Sequence, residues 1–99
     1  MEISIDGLRP DIGTVTVEGF IKSISEPRTV NLKTGEQKQV VDAILYDKTG
    51  EIKFSIWEER IKLVKEASHI KVIDAYVTEF RGTKQLNLKR DGSIQVLEY

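Results

Sequence analysis

Apolar and polar residues alternate along most of the 99-residue chain, and a period of two marks strands that bury one face. In a first run, about 14–25, Val15, Val17, Gly19 and Ile21 share one side, and Glu18, Phe20 and Lys22 the other. Pro27 lacks a backbone donor and interrupts or edges this strand. Beyond it Thr29-Val30-Asn31-Leu32 stays extended, and Lys33-Thr34-Gly35-Glu36 turns the chain. A second strand, about 38–46, carries Val41, Ala43 and Leu45 on one side and Val40, Asp42, Ile44 and Tyr46 on the other. Apolar groups on both faces make it a central strand. Asp47-Lys48-Thr49-Gly50 reads as a tight hairpin turn, with Gly50 free to take positive φ. A third strand, about 51–57, points Ile52, Phe54 and Ile56 one way and Lys53, Ser55 and Trp57 the other.

The period then changes. Glu58 to Lys65 holds Ile61, Leu63 and Val64 among charged residues, without glycine or proline. Its acidic start and lysine-bearing end suit the helix dipole, and it predicts a helix of about two turns. A fourth strand, about 70–80, sets Ile73, Ala75 and Val77 on an apolar face and Asp74, Tyr76, Thr78 and Phe80 opposite. Arg81-Gly82-Thr83 turns the chain. A fifth strand, about 84–90, has Leu86 and Leu88 inside and Gln85, Asn87 and Lys89 outside. Asp91-Gly92 predicts another tight turn before an extended segment over Ser93 to Leu97. With no repeat, linker or low-complexity stretch, residues 1–99 read as one domain. Three strands, a short helix and two strands is the order of an OB fold, a five-stranded Greek-key barrel with its helix between the third and fourth strands.

Parity places Trp57, Tyr76 and Phe80 on the face opposite the core. Tyr76 and Phe80, four apart on one strand, share that face at a separation of about 13 Å. Lys53, Ser55, Thr78, Gln85, Asn87 and Lys89 surround them. Exposed aromatic rings stack unpaired bases, each worth about 1–3 kcal/mol. Lysine and arginine take phosphates, and small polar side chains bond base edges or sugars. Duplex DNA does not suit such a surface, because its bases already stack on each other. Parity alone leaves a second reading open: a Trp at a strand end also serves as a core residue or a lid, and a bulge inverts parity.

Composition narrows the chemistry. Charged residues make up 31% of the chain, yet the formal net charge is −1. A nucleic-acid partner must therefore be held by local arrangement and stacking rather than bulk charge. Arg28, Lys33 and Lys38 flank the loop after the first strand, and Arg81 and Lys84 flank the loop after the fourth. Arg28, Lys33, Lys53, Arg81, Lys84 and Lys89 are the candidate phosphate contacts, with Ser55, Thr78, Gln85 and Asn87 as polar ones. Glu26, Glu36 and Glu79 dilute the field. There is no cysteine, so disulfides and cysteine-ligated zinc are excluded. The single histidine, His69, has no sequence partner, and no nucleophile elbow or glycine-rich phosphate loop is present. No enzyme, metal or cofactor is expected. The absence of a signal peptide or an apolar run of about 18 residues makes a soluble cytoplasmic protein, without membrane contact, the default.

Four stretches carry a family resemblance. They are Gly7-Leu8-Arg9-Pro10; Asp42 to Ile52, an A-x-x-x-D-x-T-G-x-I hairpin from Ala43 on; Ser55-Ile56-Trp57; and Ile73 to Asn87, containing A-Y-x-x-x-F-x-G-x-x-Q-L-N from Ala75 on. The chain resembles archaeal single-stranded DNA-binding proteins and the OB domains of archaeal replication protein A. It is similar, more distantly, to the one-barrel human single-strand sensors. The resemblance implies that Trp57, Tyr76 and Phe80 stack single-stranded DNA in replication, repair or recombination. Three features depart from it. Ala67 stands where relatives carry glycine, Tyr76 where some carry tryptophan, and no basic or glycine-rich tail follows Tyr99. Single-stranded RNA binding, and an assembly surface built on Phe20, Ile44, Tyr76 and Phe80 for other replication or repair proteins, are the alternatives.

Overall fold

In the computed structural model, which describes residues 2–99, six strands form one sheet that closes on itself. They are β1 (Val15–Ile24), β2 (Arg28–Asn31), β3 (Gln37–Tyr46), β4 (Glu51–Trp57), β5 (His69–Phe80) and β6 (Thr83–Glu98). A short helix, α1 (Arg60–Val64), lies between β4 and β5. β1 pairs antiparallel first with β5 and then, from Phe20 onward, with β3. β3 pairs with β4 and β5 with β6, and a parallel pairing of β4 with β6 completes the ring. This is the expected OB architecture, with β2 added outside as a hairpin partner of β3. β1 changes partner where backbones crowd. A Cβ on Gly19 would lie 2.8 Å from the Tyr46 carbonyl oxygen and 3.0 Å from Leu45 Cγ.

The barrel interior follows from the alternation. Val15 and Val17 of β1, Val41, Ala43 and Leu45 of β3, Ile52, Phe54 and Ile56 of β4, and Leu86 of β6 are all buried. Ile5 and Leu8 of the leader and Val64 and Ala67 of the α1 segment join the same core. Each valine, leucine or isoleucine so buried stabilises the fold by about 1.5–3 kcal/mol relative to exposure. Phe54 is the one aromatic in the core. The ring is thus filled by small and branched side chains, and the larger rings stay outside.

Four local expectations need correction. Asp74 adopts φ 61, and the β5–β6 register jumps between Ile73 and Ala75. The bulge inverts parity, so Ile70 and Val72 are buried ahead of it and Ile73 is only half-buried. Asp91-Gly92 is no tight turn: β6 runs on to Glu98, and residues 89–92 bulge opposite Asp74. Gly92 is needed there, because a Cβ would sit 2.6 Å from Leu88 Cδ1 and 2.7 Å from the Ile73 and Asp74 carbonyl oxygens. The helix is shorter than read, because Glu58 takes φ 52 and turns the chain out of β4 first. Gly50 is not at positive φ. Instead the Asp47 carboxylate organises its turn, accepting from the Thr49 and Gly50 amides and the Thr49 hydroxyl. The same carboxylate accepts from the Ile5 amide and ties the leader to the hairpin.

Candidate nucleic-acid interface

The strand registers build one continuous outer face across β3, β4, β6 and β5. Ile44, Lys53, Gln85 and Thr78 form one cross-strand row, and Asp42, Ser55, Asn87 and Tyr76 form the next. Trp57 stands one step beyond the second row, opposite Val40. Phe80 stands beyond the first row, opposite Thr83, at the other end. Strands about 4.8 Å apart and rising about 3.3 Å per residue put Trp57 and Tyr76 about 12 Å apart, and Tyr76 and Phe80 about 13 Å apart. The three rings therefore cross the face diagonally. Trp57 is 37% exposed, Tyr76 41% and Phe80 73%. Val40, buried yet outside the main core, lies in register with both Trp57 and Arg28.

The hairpin that carries Phe80 is tightly made. Arg81 at φ 53 and Gly82 at φ 81 form the two-residue type I′ turn that joins β5 to β6. A left-handed arginine costs about 1–2 kcal/mol relative to glycine. It is placed with its guanidinium 5.1 Å from the Phe80 ring centroid. Lys53, Thr78, Phe80, Arg81, Thr83 and Gln85 line a shallow depression on this part of the face.

Most polar groups of the face already hold one another. Gln85 Nε2 donates to Asn87 Oδ1 at 2.7 Å, and Asn87 Nδ2 donates to Thr78 Oγ1 at 3.0 Å. Ser55, expected as an open polar contact, is 2% exposed, and its hydroxyl donates to Asp42 Oδ1 at 2.8 Å. The strand pair covers it, and its hydroxyl proton is engaged by Asp42. The cations are similarly engaged. Arg28 Nη2 donates to both Asp42 oxygens, at 3.1 and 3.3 Å, and Lys53 Nζ lies 4.0 Å from Asp42 Oδ2. Lys89 donates to Thr14 Oγ1 at 2.9 Å. Lys84 has the core parity of Leu86. Its ammonium donates to the Leu8 carbonyl at 2.9 Å, fastening the leader across the barrel end. Among the described residues, Arg81 and Lys33 form no ion pair.

Sequence reasoning missed Asp42 as the charge at the centre of the face. Its outward parity was legible, but its pairing with Arg28 depends on the β2 hairpin. It also missed a second ring cluster around the barrel. Phe20 stacks on His69 at 4.2 Å and tilts against Tyr46 at 5.7 Å. His69 Nε2 lies 2.9 Å from Glu18 Oε2. Gly19 brings Phe20 to the strand crossover, where His69 and Tyr46 are its register partners. No helix among the described residues is long and apolar enough to cross a membrane.

The family described as "Single-stranded DNA binding protein Ssb-like, OB fold" matches residues 12–96. Single-stranded DNA binding protein Ssb of Saccharolobus solfataricus is 32% identical over 87 residues, which cover 88% of this chain and 58% of that protein. Replication factor A of Methanothermobacter thermautotrophicus is 33% identical over 86 residues, covering 83% of this chain and 11% of that protein. The chain thus spans less than two thirds of the length of these relatives. The solution structure of the replication factor A related protein from Methanobacterium thermoautotrophicum superposes with a TM-score of 0.78 at 30% identity, over 98% of this chain and 91% of that one. The OB domain of Ta0387 from Thermoplasma acidophilum, at 19% identity, shares the fold with a TM-score of 0.83 over 99% and 88%. On the family match and these two relatives, the chain belongs to the Ssb-like OB-fold family of single-stranded DNA-binding proteins.

Proposed function

We propose that this chain binds single-stranded DNA across the outer face of β3, β4, β6 and β5, stacking bases on Trp57, Tyr76 and Phe80. The observation that carries the reading is that three exposed rings lie on one continuous sheet face, in a family described as binding single-stranded DNA. Ring spacings of about 12–13 Å leave room for a base between successive platforms, which fits a footprint of roughly 4–6 nucleotides. Sequence tolerance follows from the Gln85–Asn87–Thr78 and Ser55–Asp42 bonds, which leave fewer free groups to read base edges. Arg81, with Lys33 in the β2–β3 turn, supplies the phosphate contacts. Arg28, Lys53 and Lys89 contribute when their present partners release them.

The chain acts in this reading as one binding unit over residues 1–99, a cytoplasmic protein without catalysis, in replication, repair or recombination. Two or three stacks and a few phosphates give an affinity of order micromolar, about −8 kcal/mol. Titration with short dT oligomers, followed by Trp57 fluorescence at two salt concentrations, tests it. Quenching that saturates with single strands and not with duplex is the expected result. Equal binding of duplex would remove the stacking mechanism. Absence of any quenching at low salt would favour a protein-assembly surface, and a preference for rU over dT oligomers would favour RNA.

A further inference from the structure

Asp42 occupies an unusual place for a carboxylate on a face proposed to receive a polyanion. It lies in the row Asp42–Ser55–Asn87–Tyr76, one step along β3 from the Val40 beside Trp57. Its side chain is 24% exposed. It is firmly held: its amide donates to Ser25 Oγ at 2.9 Å, and the Ser25 amide donates to its carbonyl at 2.8 Å. Ser55 fixes one carboxylate oxygen from below. On the solvent side, the Arg28 guanidinium sits at 3.1 and 3.3 Å and the Lys53 ammonium at 4.0 Å. One anion thus engages two of the basic side chains best placed to meet a nucleic-acid backbone. A carboxylate between a guanidinium and an ammonium has the geometry and charge of a phosphate oxygen pair in the same position.

Resting on the single-strand reading, we infer that Asp42 is a built-in rival of the DNA phosphate, and that it sets the affinity of this face. A bound strand must draw Arg28 and Lys53 away from Asp42, or leave them where they are. In the first case the uncovered Asp42 takes up a cation from solution as the DNA loses one, and in the second the two side chains displace none, so the salt dependence of binding is shallower than the number of basic residues suggests. The Asp42 charge also lies within a Debye length, about 10 Å at 0.1 M salt, of any phosphate crossing the second row. It therefore directs the backbone toward the rim at Arg81 and leaves the middle of the face to bases.

The test compares wild type with Asp42→Asn, binding a fluorescein-labelled dT oligomer at 50 and 200 mM salt. The amide keeps the shape and can still accept from Ser55 and Arg28 through its one oxygen, while it removes the charge and replaces the second oxygen, which faces Arg28 and Lys53, by an NH2 donor. Tighter binding by the variant is expected, with a log–log salt slope steeper by about 0.7 for each cation freed. Freeing one or two cations makes the variant's advantage grow roughly three- to sevenfold between 200 and 50 mM. Arg28→Gln placed on Asp42→Asn should remove much of that gain. A variant that binds equally well, or more weakly with an unchanged slope, would overturn the inference and make Asp42 a positioning residue for Arg28. Wild type that fails to bind dT at all would remove the single-strand reading, and the inference with it. Matching melting temperatures confirm that fold loss does not account for the result.

Discussion

Phe80 and Trp57 occupy the same face but differ in how much of each ring the fold covers, and that difference separates binding from stability. Phe80 is 73% exposed, so only about a quarter of its ring is covered by protein. Full burial of a phenylalanine is worth up to about 3 kcal/mol, so Phe80→Ala should cost the fold roughly 0.7 kcal/mol, a melting shift of about 3–6 °C in a domain this size. The same truncation removes a stacking platform worth about 1–3 kcal/mol, roughly five- to 150-fold in Kd. Trp57 is 37% exposed and borders the buried Val40. Scaling the 3–5 kcal/mol of a core tryptophan truncation by its covered fraction gives a fold cost of about 2–3 kcal/mol, on the order of 10–20 °C. Anisotropy of labelled dT reads both variants without needing the indole, and thermal melting reads the fold. Phe80→Ala binding as wild type would refute the diagonal path. Phe80→Ala unfolding would show that the ring is structural after all.

Other expectations follow from the turns and bulges. Arg81→Gly relaxes the left-handed position and should hold or raise stability by up to about 1 kcal/mol, while the salt slope for dT falls by roughly 0.7; a marked loss of melting temperature would contradict the turn assignment. Gly92→Ala drives a methyl into Leu88 and two carbonyl oxygens, and should cost about 2 kcal/mol or more by chemical denaturation. Asp47 ionises more readily than an ordinary aspartate. Burial acts to raise its pKa, but the Thr49 hydroxyl and the Ile5, Thr49 and Gly50 amides outweigh that and lower it. Its contribution is therefore complete above the unfolded value near 3.8 and is lost as pH falls through the lower folded value. Asp47→Ala should destabilise by about 1–3 kcal/mol at neutral pH, and denaturation curves of the two proteins should converge in acid.

The barrel and its outer face were legible because most strands keep strict alternation: Ile52, Phe54 and Ile56 went in and Trp57 went out on parity alone. The β5–β6 bulge was not legible. Asp74 in a left-handed conformation and four residues of β6 facing it are joint decisions of two strands 15–18 residues apart. Ile73 was misread for that reason, and Asp91-Gly92 looked like a turn because glycine serves a tight contact as readily as a positive φ. The basic residues were legible as positions but not as free charges. Arg28, Lys53, Lys84 and Lys89 each found a partner distant in sequence, and only folding brings Asp42, Leu8 and Thr14 beside them.

The parallel pairing of β4 with β6 has a kinetic side. It joins Lys53, Phe54 and Ser55 to Gln85, Leu86 and Asn87 across about 30 residues of intervening chain, and contacts over such a separation slow folding. Trp57 stands on one side of this seam, and Tyr76 and Phe80 on the other. When the seam breathes, the platforms part company while each strand pair stays intact. A strand of DNA lying over both halves would hold the seam shut, so amide hydrogens near Ser55 and Asn87 should exchange more slowly in its presence. At a hundred times Kd the gain is about 2.7 kcal/mol, and occupancy of the face would thereby become a measure of how firmly the barrel is closed.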